Sequence, residues 1–149
     1  MILRQDKGYG DAERYLVPAN EAPSIKLENM NETLIEEEIN IDTLDKYLNK
    51  INVNKIDFLK IDTEGFEYYI LKGAEQILKN SPEIVILMEC TASGSARAKT
   101  TQKEVFQILK KIDLNIFYWN RDTKAWCDDE GILNAGDVWV CKNINQLKK

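Results

Sequence analysis

The chain is 149 residues long, 44% hydrophobic and 30% charged, the composition of a folded domain with one sizeable core rather than of a disordered or fibrous chain. Lys and Arg number 20 against 25 Asp and Glu, a net charge of -5, which argues against nucleic acid as a partner because tracking a phosphate backbone needs a basic patch. There is no histidine, so no metal site is expected, and any chemistry falls to carboxylates, hydroxyls, lysines or a cofactor.

The amino terminus lacks the apolar run of a secretion signal, and the longest apolar stretch, 84–88, is too short to cross a bilayer. Cys90, Cys127 and Cys141 are too widely spaced for a C-x-x-C motif. Cys90 and Cys141 sit in strand-like apolar runs, where a thiol acts as a small buried hydrophobe, and a reducing cytoplasm is the expected setting.

Residues 1–35 read as an irregular lead-in broken by Gly8, Gly10, Pro18 and Pro23, with strand-like stretches at 14–17 and 24–28 that would pair as a hairpin. The main domain is expected over 36–149. Residues 38–41 alternate polar and apolar, as in a half-buried strand. Asp42 is placed to cap a helix carrying Leu44, Tyr47, Leu48 and Ile51 at i, i+3, i+4 and i+7. A strand at 56–61 then leads into the acidic turn Asp62, Thr63, Glu64 and Gly65. One helix follows, with Phe66, Tyr69, Ile70, Gly73, Ala74, Ile77 and Leu78 on a face, stopped by Ser81 before Pro82.

Residues 83–88 contain five consecutive apolar positions, which predicts a strand covered on both faces, central and parallel to 56–61. After a polar loop, Thr101 and Glu104 have the spacing of a capping box for a helix with Val105, Ile108, Leu109 and Ile112 inward. Strands at 115–120 and 137–142 finish the domain, joined by a polar loop holding Trp126 and Gly131. The fold class is α/β, with a mostly parallel sheet. The core is expected to contain Leu44, Leu48, Phe58, Ile61, Ile70, Ile77, Val85, Leu87, Ile108 and Leu109.

In such sheets ligands bind outside the carboxyl ends of the strands. Asp62 and Glu64 follow one strand there and Glu89 ends the next, so their carboxylates can converge to hold a hydroxyl or take its proton. Glu67, in the first turn of a helix, is favoured there by the macrodipole. Glu89 has the least structural reason for its place, because a charge against a dry strand end needs a partner or a ligand. The three tryptophans read as packing, and Ser93 and Ser95 lack the histidine of a hydrolase triad.

The stretch 56–90, IDFLKIDTEGFEYYILKGAEQILKNSPEIVILMEC, resembles the signature of the FkbM family of methyltransferases. The resemblance rests on Lys60, Ile61 and Asp62 closing a strand, the Glu64 and Gly65 turn, Glu67 two positions on, Leu71, Lys72, Gly73 and Ala74 in the helix, and Glu89 ending an apolar strand. INIDTLDKYL, at 39–48, resembles the family's preceding segment, and Cys90 stands where members often carry histidine. The resemblance implies the carboxyl-terminal portion of a Rossmann-like class I domain and S-adenosyl-L-methionine (SAM)-dependent methyl transfer to a hydroxyl of a sugar or natural product. It assigns Asp62 and Glu64 to catalysis and Glu89 and Glu67 to the small-molecule acceptor.

The family's first cofactor-binding strands, with their glycine-rich turn, have no counterpart in the sequence. The chain alone is therefore expected to bind SAM poorly, and 56–61 is expected at a sheet edge. That edge would be completed by the segment 13–28, by a second copy in a homodimer, or by a companion chain. The competing expectation is a truncated, non-catalytic half-domain that serves as a partner or folding module.

Overall fold

The computed structural model of the chain describes residues 2–5, 14–17, 35–38, 40–63, 65–128 and 136–148, which fall into two units, Met1–Asp42 and Thr43–Lys149. In the first unit, strand β1 (Ile2–Gln5) lies between β2 (Arg14–Val17) and β3 (Ile35–Glu38), antiparallel to both. Residues 14–17 are a strand as their pattern predicts, but the partner is β1; the stretch 24–28 lies outside the described residues. The strand expected at 38–41 falls earlier, at 35–38, where Ile35 pairs with Gln5 and Glu38 with Ile2.

The second unit opens with helix α1 (Leu44–Lys50). Its cap is Thr43, one residue after Asp42: the backbone there is extended, and the hydroxyl accepts from the Lys46 N–H at 3.3 Å. Leu44 and Leu48 are half-buried against the core, whereas Tyr47 and Ile51 are exposed, so only half of the predicted apolar stripe packs inward.

Strand β4 (Phe58–Ile61) follows, and then two short helices, α2 (Glu67–Lys72) and α3 (Glu75–Lys79), instead of one. The break at Gly73 has a long-range cause. The Asp45 carboxylate on α1 accepts from Gln76 N–H at 3.0 Å and Ile77 N–H at 2.8 Å, capping α3. The Asp45 N–H in turn donates to the Gly73 carbonyl at 2.9 Å. A Cβ at Gly73 would lie 3.1 Å from Thr43 Cβ, so the small residue lets α1 dock.

Strand β5 (Val85–Glu89) leads into α4 (Ala92–Arg97), capped by the Thr91 hydroxyl within the stretch expected to be a loop. Helix α5 (Gln102–Lys111) starts at Thr101 as the capping spacing predicts, with the Thr101 hydroxyl accepting from Glu104 N–H at 3.2 Å. Strand β6 (Asn115–Asn120), strand β7 (Ala125–Asp128), strand β8 (Asp137–Cys141) and a 3₁₀ turn (Ile144–Lys148) complete the described chain.

The five strands are ordered β4-β5-β8-β6-β7. Only β4 and β5 pair in parallel; β8 is antiparallel to β5 and β6, and β7 to β6, so the sheet is mixed and mostly antiparallel in its pairings. The expectation of a mostly parallel sheet is corrected by the connections. Parallel neighbours need a long crossover, which β4 and β5 have, whereas the turn of residues 121–124 between β6 and β7 permits only a hairpin. The Asn120 side chain shapes that hairpin by accepting from the N–H groups of Asp122 and Thr123, at 2.9 and 3.0 Å.

Ile61, Ile86, Met88, Val138 and Val140 are buried on one face against Leu71, Ile77, Leu78, Val105 and Leu109 from the helices. The other face carries Phe58, Lys60, Val85, Leu87, Glu89 and Trp139 in the register of the strands. Val85 and Leu87 are half-buried and Phe58 is 55% exposed, which corrects the expectation of a strand covered on both faces and removes all three from the core. Cys90 and Cys141 are buried, as expected of thiols in apolar strands. The two faces of β5 should differ in mutational cost. Ile86→Ala and Met88→Ala should each lose about 2–5 kcal/mol in denaturant titration, and Val85→Ala and Leu87→Ala about 1 kcal/mol. Equal losses on both faces would refute the one-sided core.

Candidate functional site

The parallel pair β4 and β5 brings two carboxyl ends side by side, the place where open α/β sheets bind ligands. Asp62 immediately follows β4 and is exposed, its Oδ2 accepting a hydrogen bond from Lys60 Nζ at 3.0 Å. Alternation puts Lys60 on the outer face of the sheet, level with Leu87. Glu89, at the end of β5, lies on that same face opposite Asp137, the first residue of β8.

Lys60 therefore faces several acids. Its pKa is held above 10.5, first by the hydrogen bond to Asp62 and the charge of that group, then by the charges of Asp137 and Glu89. Desolvation opposes these effects. Among the described residues, the Lys60 ammonium thus feels three carboxylates at one end of the sheet, those of Asp62, Asp137 and Glu89. Such a group can accept hydrogen bonds from a polyol and take a proton from a hydroxyl. Among the described residues no group of His, Cys, Asp and Glu is arranged to hold a metal ion.

Glu67 is placed differently. It is only 2% exposed, and its Oε1 accepts from the Gly65 N–H at 3.0 Å and from the Thr63 hydroxyl at 3.2 Å. Its carboxylate braces the turn instead of facing outward with Asp62 and Glu89. Glu64 lies outside the described residues. Gly65 has φ +112°, a conformation that favours glycine, and a Cβ there would stand 2.0 Å from the Gly94 carbonyl oxygen on α4. The loops after β4 and β5 thus meet backbone to backbone. At the end of β5, the Cys90 carbonyl accepts from Gln102 Nε2 at 2.7 Å, tying the strand end to α5.

The structure brings Asp62 and Glu89 to the same end of the sheet and adds two residues that sequence reasoning did not assign, Lys60 and Asp137. Lys60 was visible as the one charge inside the apolar strand FLKI. Asp137 had no local signal, because its role depends on β8 entering the sheet next to β5. A hollow lined by Lys110, Asn115, Phe117, Asp128 and Lys142 lies at the opposite end, where β6 starts and β8 finishes, and contains none of Asp62, Glu89 and Asp137.

Among known families, the model described as "Methyltransferase FkbM domain" matches residues 5–115, from the end of β1 to the start of β6. No curated protein and no solved structure matches the chain.

The Lys60 pair offers a direct check on the geometry. Asp62→Asn should lower the Lys60 pKa toward 10.5, read by NMR titration of its Cε and Hε signals. The sign follows from the raised pKa: what stability the pair adds is present below pH 10.5 and lost as pH rises through the folded value. The pair is exposed, so that contribution is small. An unchanged Lys60 titration in the variant would break the assignment of the pair.

Proposed function

Because the chain belongs to the FkbM family of methyltransferases, we propose that it serves SAM-dependent transfer of a methyl group to a hydroxyl oxygen, with its strand-end carboxylates forming the acceptor side. The observation that carries this reading is Asp62: an exposed carboxylate at the carboxyl end of a parallel strand, held by Lys60, with Glu89 on the neighbouring β5 and Asp137 on β8 beyond it.

In this reading Asp62 accepts the proton of the acceptor hydroxyl, so that the oxygen gains nucleophilic character. Lys60 holds the Asp62 carboxylate toward the strand end. Glu89 orients the acceptor by accepting a hydrogen bond from a second hydroxyl, which favours a sugar or another polyhydroxylated small molecule over a simple alcohol. Glu64 is proposed beside Asp62 from its place in the signature alone.

SAM, when bound, supplies an electrophilic methyl carbon. Gly65 and Gly94, the glycines that follow β4 and β5, are closed on each other, whereas Gly136, whose carbonyl accepts from the Cys90 N–H at the end of β5, has open space beside it. We assign Asp62, Lys60 and Glu89 to the acceptor side.

The test is transfer of labelled methyl from SAM to a panel of sugars and hydroxylated natural products. Asp62→Asn should lower the rate by about 10²–10⁴-fold while circular dichroism and thermal unfolding stay close to wild type. A variant that transfers at the wild-type rate would refute the role of Asp62. A folded wild-type chain that methylates none of the panel would instead support the reading as a non-catalytic partner module.

A further inference from the structure

A carboxylate removed from water needs partners, and the partners of Glu67 all belong to one turn. It is 2% exposed and sits in the first turn of α2, with Oε1 on the Gly65 N–H and the Thr63 hydroxyl. The turn is closed further by the Phe66 N–H, which donates to the Thr63 carbonyl at 3.2 Å. From the other side it meets α4. A Cβ at Gly94 would lie 3.2 Å from the Gly65 backbone and 2.9 Å from Thr91 Oγ1, the oxygen that caps α4 by accepting from the Gly94 N–H at 3.0 Å. The turn after β4 is thus held by a buried charge on one element and by backbone contact with another.

We propose that Glu67 is a positioning residue: its buried carboxylate ties the turn after β4 to helix α2, α4 clamps that turn through Gly94, and Asp62 is thereby presented to the acceptor from a rigid support. Glu67 itself does not touch the acceptor, although the family signature groups it with the site acids. The advantage is entropic. An exposed base on a freely moving turn would have to be immobilised at each encounter, whereas a braced one is already oriented. This inference rests on the acceptor-side role proposed for Asp62, and it adds what fixes that residue.

The experiment uses Glu67→Ala and Glu67→Gln in the full chain, since glutamine keeps an oxygen that can accept from Gly65. Amide hydrogen exchange at Gly65 should accelerate by about 10- to 100-fold in the alanine variant and stay within about threefold of wild type in the glutamine variant. The amides of Ile86 and Met88 in β5 serve as the internal reference for global opening. The Lys60 titration should fall toward 10.5 in the alanine variant and remain raised in the glutamine variant, because Asp62 moves with the turn. In the methyl-transfer assay kcat should drop about tenfold or more in the alanine variant at unchanged KM for the acceptor, with glutamine restoring most of it.

Unchanged Gly65 exchange and Lys60 titration in the alanine variant, or a raised acceptor KM in both variants, would overturn the proposal; the latter result would mean direct contact with the acceptor. If the alanine variant does not fold, a glutamine variant with wild-type exchange, titration and kcat still supports it, and one that loses all three refutes it. Absence of methyl transfer in the wild type would sink the functional reading, and with it the acceptor to which Asp62 is presented, while exchange and titration still decide whether Glu67 holds the turn.

Discussion

Handedness governs the second unit. Strand–crossover–strand connections turn right-handedly, so two successive crossovers that progress in one direction across a sheet deliver their helices to the same face. From β4 to β5 and from β5 toward β6 the order advances one way, and the helices α2, α3 and α5 all contribute to one core against Ile61, Ile86, Met88, Val138 and Val140. Among the described residues, no crossover helix covers the opposite face. That asymmetry is why a strand as apolar as β5 has one buried row and one half-buried row, and why Lys60, Glu89 and Asp137 share a face that charged side chains can occupy.

The same architecture explains how acids with different chemistry arise within a few residues. Asp62 and Glu67 are five positions apart, yet one is exposed beside an ammonium and the other is enclosed by a turn. Strand alternation and the reversal at Gly65 separate them. The outward carboxylate faces solvent, and the inward one is held through Oε1 by the Gly65 N–H and the Thr63 hydroxyl. A turn built this way keeps its outward carboxylate solvated and its support dry.

Much of this was legible in the residues. The strands at 58–61 and 85–89, their parallel pairing, the start of α5 at Thr101 and the placement of Asp62 and Glu89 at strand ends all follow from local pattern. What was not legible depends on residues distant in sequence. The helix expected after Gly65 breaks because Asp45, 31 and 32 positions before the amides it caps, starts α3 afresh. Helix α4 hides in a Ser-, Gly- and Ala-rich stretch whose propensity is weak and whose packing against Gly65 comes from another strand's turn. The antiparallel majority of the sheet was missed because β7 lies in what reads as a polar loop and β8 inserts between β5 and β6. Each of these depends on tertiary geometry that periodicity does not encode.

Trp119, Trp126 and Trp139 are the only tryptophans of the chain, and all three lie on the outer face across β6, β7 and β8. Trp126 stands edge-on to both neighbours, with ring centroids at 5.2 and 5.7 Å. Indoles this close exchange excitation, so the tryptophan part of the near-ultraviolet signal and the tryptophan emission belong to one coupled cluster and not to three independent rings. Trp139 pairs with Leu87, two residues from Glu89, while Trp119 remains 46% exposed at the far margin. The protein thus carries an intrinsic optical gauge on the half-open side of its sheet. Its colour and anisotropy follow the packing of that side and are largely blind to the helical core behind it.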